Sequence, residues 1–247
     1  MGTKLLFISL FLVIFASPPP LQAAECKVED RKCVLAIIES EAAKIEKKAW
    51  RDQTYRELAK TKAFEGDMEG ALAVVDKIET PDTQALTIRG IGMMAADKKL
   101  SKERYDSVFS MLRAKAETIK HPPSYAIALT YIAMSQAFAG DNDGAWKTAS
   151  EMKNDALRHK AYGETAEIQA EFGNFDAAMK SIKFIDSLAF RNKAYATISK
   201  ILAQKDLYPD AMTAALKIDN AYKKATALQY VLDQQNPRDV ERRQPHK

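Results

Sequence analysis

Few side chains in this sequence are of the types that do chemistry: three His and two Cys among 247 residues. His121 precedes two prolines, His159 sits in a joint that recurs later in the chain, and His246 lies among the last residues. None has a ligand partner at metal spacing, so all three read as structural or solvated, and neither a metal nor a cofactor is expected. No glycine-rich phosphate cradle and no Gly-x-Ser-x-Gly nucleophile turn occurs. Carboxylates are plentiful, and Glu164, Glu167 and Glu171 fall on one helix stripe. As a glycosidase pair they would need facing partners in a deep cleft; as a solvated or peptide-facing ridge they need nothing more. The ridge is the adopted reading, and the chain is expected not to be an enzyme.

Cys26 and Cys33 stand close together near the start. Ahead of them, Lys4 precedes the apolar run Leu5 to Ala16, then Ser17, Pro18 to Pro20 and Leu21-Gln22-Ala23-Ala24. This is the order of a signal peptide, with cleavage expected after Ala23 and segment 1–23 removed. Twelve apolar residues rise only about 18 Å as a helix, short of the roughly 30 Å hydrocarbon core, so no stable membrane anchor is expected. Glu25 stands before Cys26, which disfavours lipid attachment there, and Leu6 breaks the myristoylation pattern. The mature chain is expected to be periplasmic or secreted, where two cysteines form an obvious pair. On one continuous helix they would lie about 10 Å apart, so a bridge requires Lys27 to Lys32 to turn before a helix begins near Cys33. Free thiols, a redox pair or half of a metal site are the alternatives; a structural bridge worth at most about 2 to 3 kcal/mol is the expectation.

The elements that must position these residues follow from composition. Lys plus Arg number 37 against 33 Asp plus Glu, a net +4, with 28% charged and 47% apolar residues. That balance argues against a disordered chain and against a strongly cationic nucleic-acid binder. Only 9 Gly and 9 Pro punctuate it, and Ala, Lys, Glu and Leu dominate, so the chain is expected to be all-α, with more than about 65% helix and no sheet.

The helices repeat. Superposing Thr54 to Gly66, Ala128 to Gly140, Ala161 to Gly173 and Ala194 to Asp206 aligns Ala59, Ala133, Ala166 and Ser199, then Ala63, Ala137, Ala170 and Ala203 four residues later. Small residues four apart share a helix face and allow close backbone approach, and the closing Gly66, Gly140 and Gly173 suit a left-handed helix end. Acidic or amide residues then start a second helix that carries Ala71, Ala145 and Ala178; after Asp206 one additional residue is read before the matching turn. The 74 residues between Ala59 and Ala133 leave room for a degenerate unit carrying Gly90 and Met94. The joints Arg158-His159-Lys160-Ala161 and Arg191-Asn192-Lys193-Ala194 are followed, at a step read as 31, by Tyr222-Lys223-Lys224-Ala225.

Paired helices with a period of about 33 to 34, small residues at fixed positions and a Gly-Asp/Asn turn resemble the tetratricopeptide-repeat family over roughly Cys33 to Asp233. The early family Trp is Tyr or Leu here, and its first-helix Tyr is replaced by Lys62, Gln136 and Gln169. The resemblance implies a right-handed α-solenoid of antiparallel helix pairs over 24–233, opened by Val34 to Ile45 and closed by Ala221 to Leu232; the basic tail 234–247, with Pro237 and Pro245 and no apolar period, is expected to be disordered.

By the same resemblance the first helix of each pair lines a concave groove. Register then selects Arg56 and Lys60, next Tyr131, Met134 and Phe138, next Glu164, Glu167 and Glu171, and last Thr197 and Lys200. Such mixed charge suits a protein or peptide partner in the cell envelope more than nucleic acid. The expected function is a non-enzymatic exported scaffold or adaptor. An envelope hydrolase or lytic enzyme on a helical scaffold, and a secreted effector, are the alternatives.

Overall fold

The computed structural model describes residues 26–236, so segment 1–23, expected to be a signal peptide, and most of the tail 234–247 lie outside the described residues. Helices occupy 78% of the described residues, and no strand occurs among them. In chain order they are α1 (Arg31–Ala43), α2 (Lys48–Glu65), α3 (Met68–Val75), α4 (Pro81–Ala96), α5 (Lys102–Glu117) and α6 (Pro122–Phe138). There follow α7 (Asn142–Ser150), α8 (Asp155–Glu171), α9 (Phe175–Lys183), α10 (Leu188–Gln204), α11 (Tyr208–Leu216) and α12 (Ala221–Gln235). The last helix thus runs two residues past Asp233, and the first begins at Arg31, ahead of Cys33.

Contacts run from neighbour to neighbour. The first helices touch in chain order, α2 with α4, then α6, α8, α10 and α12, and each second helix packs on the first helix of its own unit and of the next. Helix α1 packs on α2, and no extensive contact joins the first and last units among the described residues. A helix pair cannot bury both faces alone, so each unit supplies part of its neighbour's core. The aligned small residues lie at these contacts: Ala59, Ala133, Ala166, Ser199, Ala63, Ala137, Ala170 and Ala203 are all buried.

The period is visible in the backbone. Residues preceding the first helices are Lys47, Thr80, His121, Asn154, Ser187 and Asn220, at steps of 33, 41, 33, 33 and 33. Positive φ falls at Gly66, Lys99, Gly140, Gly173 and Asp206, at steps of 33, 41, 33 and 33. Two residues before each joint stands an aliphatic or Met side chain, of which Ile78, Ile119, Met152, Ile185 and Ile218 are buried. Four residues into the helix, Arg51, Gln84, Arg158 and Arg191 reach back and donate to the carbonyls of Ile45, Ile78, Met152 and Ile185. These bonds satisfy carbonyls that the turning chain would otherwise leave without partners. Asp67, Asp141 and Asn174 cap α3, α7 and α9 by accepting from the N–H groups of Gly70, Gly144 and Ala177.

Three details of the repeat differ from the sequence expectation. Helix α11 starts two residues after Asp206, as α3 starts two after Gly66, so no additional residue intervenes. The last joint lies 33 residues on, because the Asn220 side chain accepts from Lys223 N–H and fixes the start of α12; Arg191 therefore matches Lys224 rather than Tyr222. In the middle unit the positions of Ala59 and Ala63 fall on Gly92 and Ala96, two residues beyond Gly90 and Met94. A Cβ on Gly92 would stand 2.6 Å from Ser135 Oγ of α6, so only glycine fits this approach of α4 to α6. The 41-residue step accompanies a 16-residue α5, where the other second helices have 8 or 9.

At the start, Cys26 and Cys33 stand at disulfide distance, their Cα atoms 5.8 Å apart. The chain turns between them, and Asp30 caps α1 by accepting from Cys33 N–H at 3.1 Å. Glu39 of α1 then ties the helix down, pairing with Lys77 at 2.6 Å and with Lys62 of α2 at 3.1 Å. Burial works against ionisation of Glu39, but its bonds to Lys77 and Lys62 prevail and hold its carboxyl below the usual value.

Candidate functional site

The 33- and 41-residue steps sort first-helix positions into rows that run across successive units. One row holds Glu57, Gly90, Tyr131, Glu164, Thr197 and Tyr230; a second, three residues on, holds Lys60, Met93, Met134, Glu167, Lys200 and Asp233. Tyr131, Met134, Glu164, Glu167 and Lys60 are half-buried, and Lys200 and Glu171 are exposed. Arg56 falls one residue outside the row: its true counterparts are Arg89 and Gly163, and Glu57 takes the place assigned to it.

At the α2 end, Lys60 pairs with Glu57 at 2.6 Å, and Arg56 lies 3.8 Å from the same carboxylate. The Lys60 stem crosses Gly90, where a Cβ would be 2.6 Å from Lys60 Cγ. The Arg56 Nε is buried and has no hydrogen-bond partner. Arg89 of α4 lies over the Tyr131 ring of α6, 5.5 Å from its centroid. Phe138 meets Phe172 edge-on at 5.4 Å. Lys200 of α10 stands 5.6 Å from the Tyr230 ring of α12.

Glu164 and Glu167 are brought together in a hollow of about 190 Å³ between α8 and α10, whose other walls are His159, Lys160, Gly163, Phe190, Lys193 and Ala194. Glu171, a turn further along α8, does not line it. Two of the residues that line it each carry a polar atom that is buried and unpartnered, Glu164 Oε2 and His159 Nε2. The nearest cation to Glu164 is Lys160, 3.6 Å from Oε1, and Asp186 Oδ2 lies 3.9 Å from His159 Nε2. Burial pushes the Glu167 carboxyl above the usual value, with Glu164 and Glu171 adding to the rise and Lys193 opposing it. Larger hollows of about 550 and 590 Å³ lie along α5 and α7, and none of the buried unpartnered side-chain atoms belongs to their walls.

His159 occupies a position whose role is clear in two other units. There Asp52, 1% exposed, accepts from the N–H groups of Glu79 and Thr80 at 3.1 and 3.0 Å, and Asn192 accepts from Asp219 N–H at 2.9 Å. Each bond ties a first helix to the joint 27 or 28 residues later. His159 makes no such bond through Nε2, although it is only 8% exposed.

The sequence selected Glu164 and Glu167 and assigned His159 a structural part in the joint, while Phe190 and Lys193 were not selected as site residues. The signal for Lys193 was present, since it follows Lys160 by 33 residues; nothing in one helix alone announces that Phe190 faces α8. Among the described residues no group of three or more His, Cys, Asp or Glu is placed to hold a metal ion, and no helix is long and apolar enough to cross a membrane. Comparison with family models, with curated proteins and with solved structures gave no match.

Proposed function

We propose that this protein is a non-enzymatic, exported scaffold or adaptor, a right-handed tetratricopeptide-like solenoid of antiparallel helix pairs whose concave face holds an extended segment of a protein partner in the cell envelope. The observation that carries this reading is the pair of rows along the first helices, half-buried and exposed side chains of mixed charge that recur from unit to unit. Side chains that recur at a fixed step suit an extended chain, whose own side chains also recur at a fixed step. The Cys26 and Cys33 pair at disulfide distance, together with the leader-like segment 1–23, supports export to an oxidising compartment, the periplasm or beyond.

The acidic pair favours binding over hydrolysis. Glu164 and Glu167 come from one wall, α8, and the facing wall of α10 offers Phe190, Lys193 and Ala194. Glycoside hydrolysis places its two carboxyl groups on either side of the scissile bond.

The test is site-specific photocrosslinking in the producing cell. A photoreactive residue at Met134, in the row, is expected to join a defined partner, and the same residue at Ser150, exposed on α7, is not. Crosslinks from Ser150 alone would contradict the assignment of the binding face.

A further inference from the structure

We propose that the hollow between α8 and α10 seats the guanidinium group of an arginine in the partner's bound segment. This rests on the scaffold reading and names the chemistry of one subsite within it. Buried polar atoms nearly always have partners, and two of the four side-chain atoms that lack one among the described residues, Glu164 Oε2 and His159 Nε2, belong to the walls of this hollow. In the corresponding positions Asp52 and Asn192 are satisfied by backbone N–H groups of the following joint, so His159 has given up a bond that the repeat makes elsewhere.

The ligand must supply donors and positive charge. Glu164 and Glu167 line the hollow, and Glu171 and Asp186 stand close by, against Lys160 and Lys193. The walls themselves balance, two carboxylates against two ammonium groups, and Glu171 and Asp186 outside them make the surroundings acidic. The volume, about 190 Å³, equals roughly six waters and admits one side chain. The His159 and Phe190 rings, 5.5 Å apart at 51°, give the hollow an aromatic wall, and Gly163 leaves the α8 wall open, with nothing within 4 Å of where a Cβ would be. A guanidinium carries five N–H donors and no acceptor, matches a carboxylate edge-on and stacks on aromatic faces, whereas an ammonium is compact and has no flat face. The guanidinium pairs with the carboxylates of Glu164 and Glu167, which line the hollow, and lies against the aromatic wall of His159 and Phe190.

The experiment is a titration of the purified protein with N-acetyl-arginine N-methylamide, followed by amide chemical shifts. Saturable shifts are expected at Gly163, Phe190 and Lys193. The citrulline derivative, equal in shape but uncharged, is expected to bind at least about tenfold more weakly, because the bond to the carboxylate loses its charge. Gly163→Leu fills the hollow and should abolish the shifts with an unchanged or higher melting temperature, since the substitution also removes a helix-interior glycine. If Gly163→Leu folds poorly, His159→Asn decides: it installs the residue that Asn192 has in the next unit and is expected to keep the fold while weakening binding. Absent shifts, an equal response to citrulline, or wild-type binding by a folded variant would overturn the proposal. Tighter binding of free L-arginine than of the blocked derivative would overturn a peptide as its source. The two readings separate in the crosslinking assay. Partner capture from Met134 that Gly163→Leu leaves unchanged removes the arginine seat and keeps the scaffold, whereas arginine binding without any partner at Met134 does the reverse.

Discussion

Asp52 shows how much one side chain contributes to holding successive units together. Its buried carboxylate accepts two backbone N–H groups from the joint that leads into α4. Asp52→Ala would leave both donors without partners, and we expect a loss of about 2 to 3 kcal/mol in urea unfolding; Asp52→Asn should cost less, since Asn192 does the same work in its own unit. Glu167 acts in the other direction. Its carboxyl is raised above the model-compound value of 4.5, so the folded state binds the proton more tightly than the unfolded chain. The stability linked to this proton is present below the unfolded pKa and is lost as pH rises through the folded one. Glu167→Gln is therefore expected to raise the melting temperature near about pH 7, with the gain shrinking toward about pH 4, where both forms are neutral. A thermal melt series over that range checks the sign. The acidic stripe was legible because Glu164, Glu167 and Glu171 share one helix face. The hollow that gives two of them a setting was not, because its far wall belongs to α10 and because His159 looks in sequence like any other joint residue.

Among the elements, the helix pairs with glycine-closed turns and paired alanines were readable directly, since each of these residues carries a local requirement: left-handed backbone at Gly66, Gly140 and Gly173, and close approach at Ala59, Ala133 and Ala166. The α4–α5 unit was blurred because it meets the same requirements with other residues. Lys99, at φ 49°, takes the left-handed position, and Gly92 takes the small one. The longer α5 also displaces everything after it from the 33-residue step. This makes Gly92 a sharp test of helix packing. In an isolated helix Gly92→Ala would be favourable by about 1 kcal/mol. Against α6, its methyl group would sit 2.6 Å from Ser135 Oγ and 2.9 Å from Ser135 Cβ. We expect the clash to prevail, with a net loss of about 1 to 2 kcal/mol measured by denaturant unfolding, and Ser135→Gly in the same chain to restore part of it.

For the whole molecule, contacts confined to neighbouring units imply that stability falls toward the ends. Amide exchange should be slowest in α6 and α8, which have packed units on both sides, and fastest in α12; α1 should be intermediate because Glu39 ties it to Lys62 and Lys77. Acidification that protonates Glu39 is expected to speed exchange in α1, since a carboxyl with a depressed pKa contributes stability only above it. In the proposed scaffold this layout would separate folding from binding. The packing residues Ala166 and Ala170 lie on the buried side of α8, and the carboxylates of the rows lie on the side left half-open.

That separation is the centre of the account, and one measurement addresses it most directly: the affinity of the crosslinked partner for the double variant Glu164→Lys, Glu167→Lys, with helicity and melting temperature recorded on the same sample. Half-buried row carboxylates contribute little to folding, so the melting temperature should move by less than about 3 °C. Opposing charge at a complementary surface should weaken the partner by about tenfold or more at low salt. Unfolding of the double variant, or wild-type affinity at low salt with the fold intact, would contradict the assignment of this face.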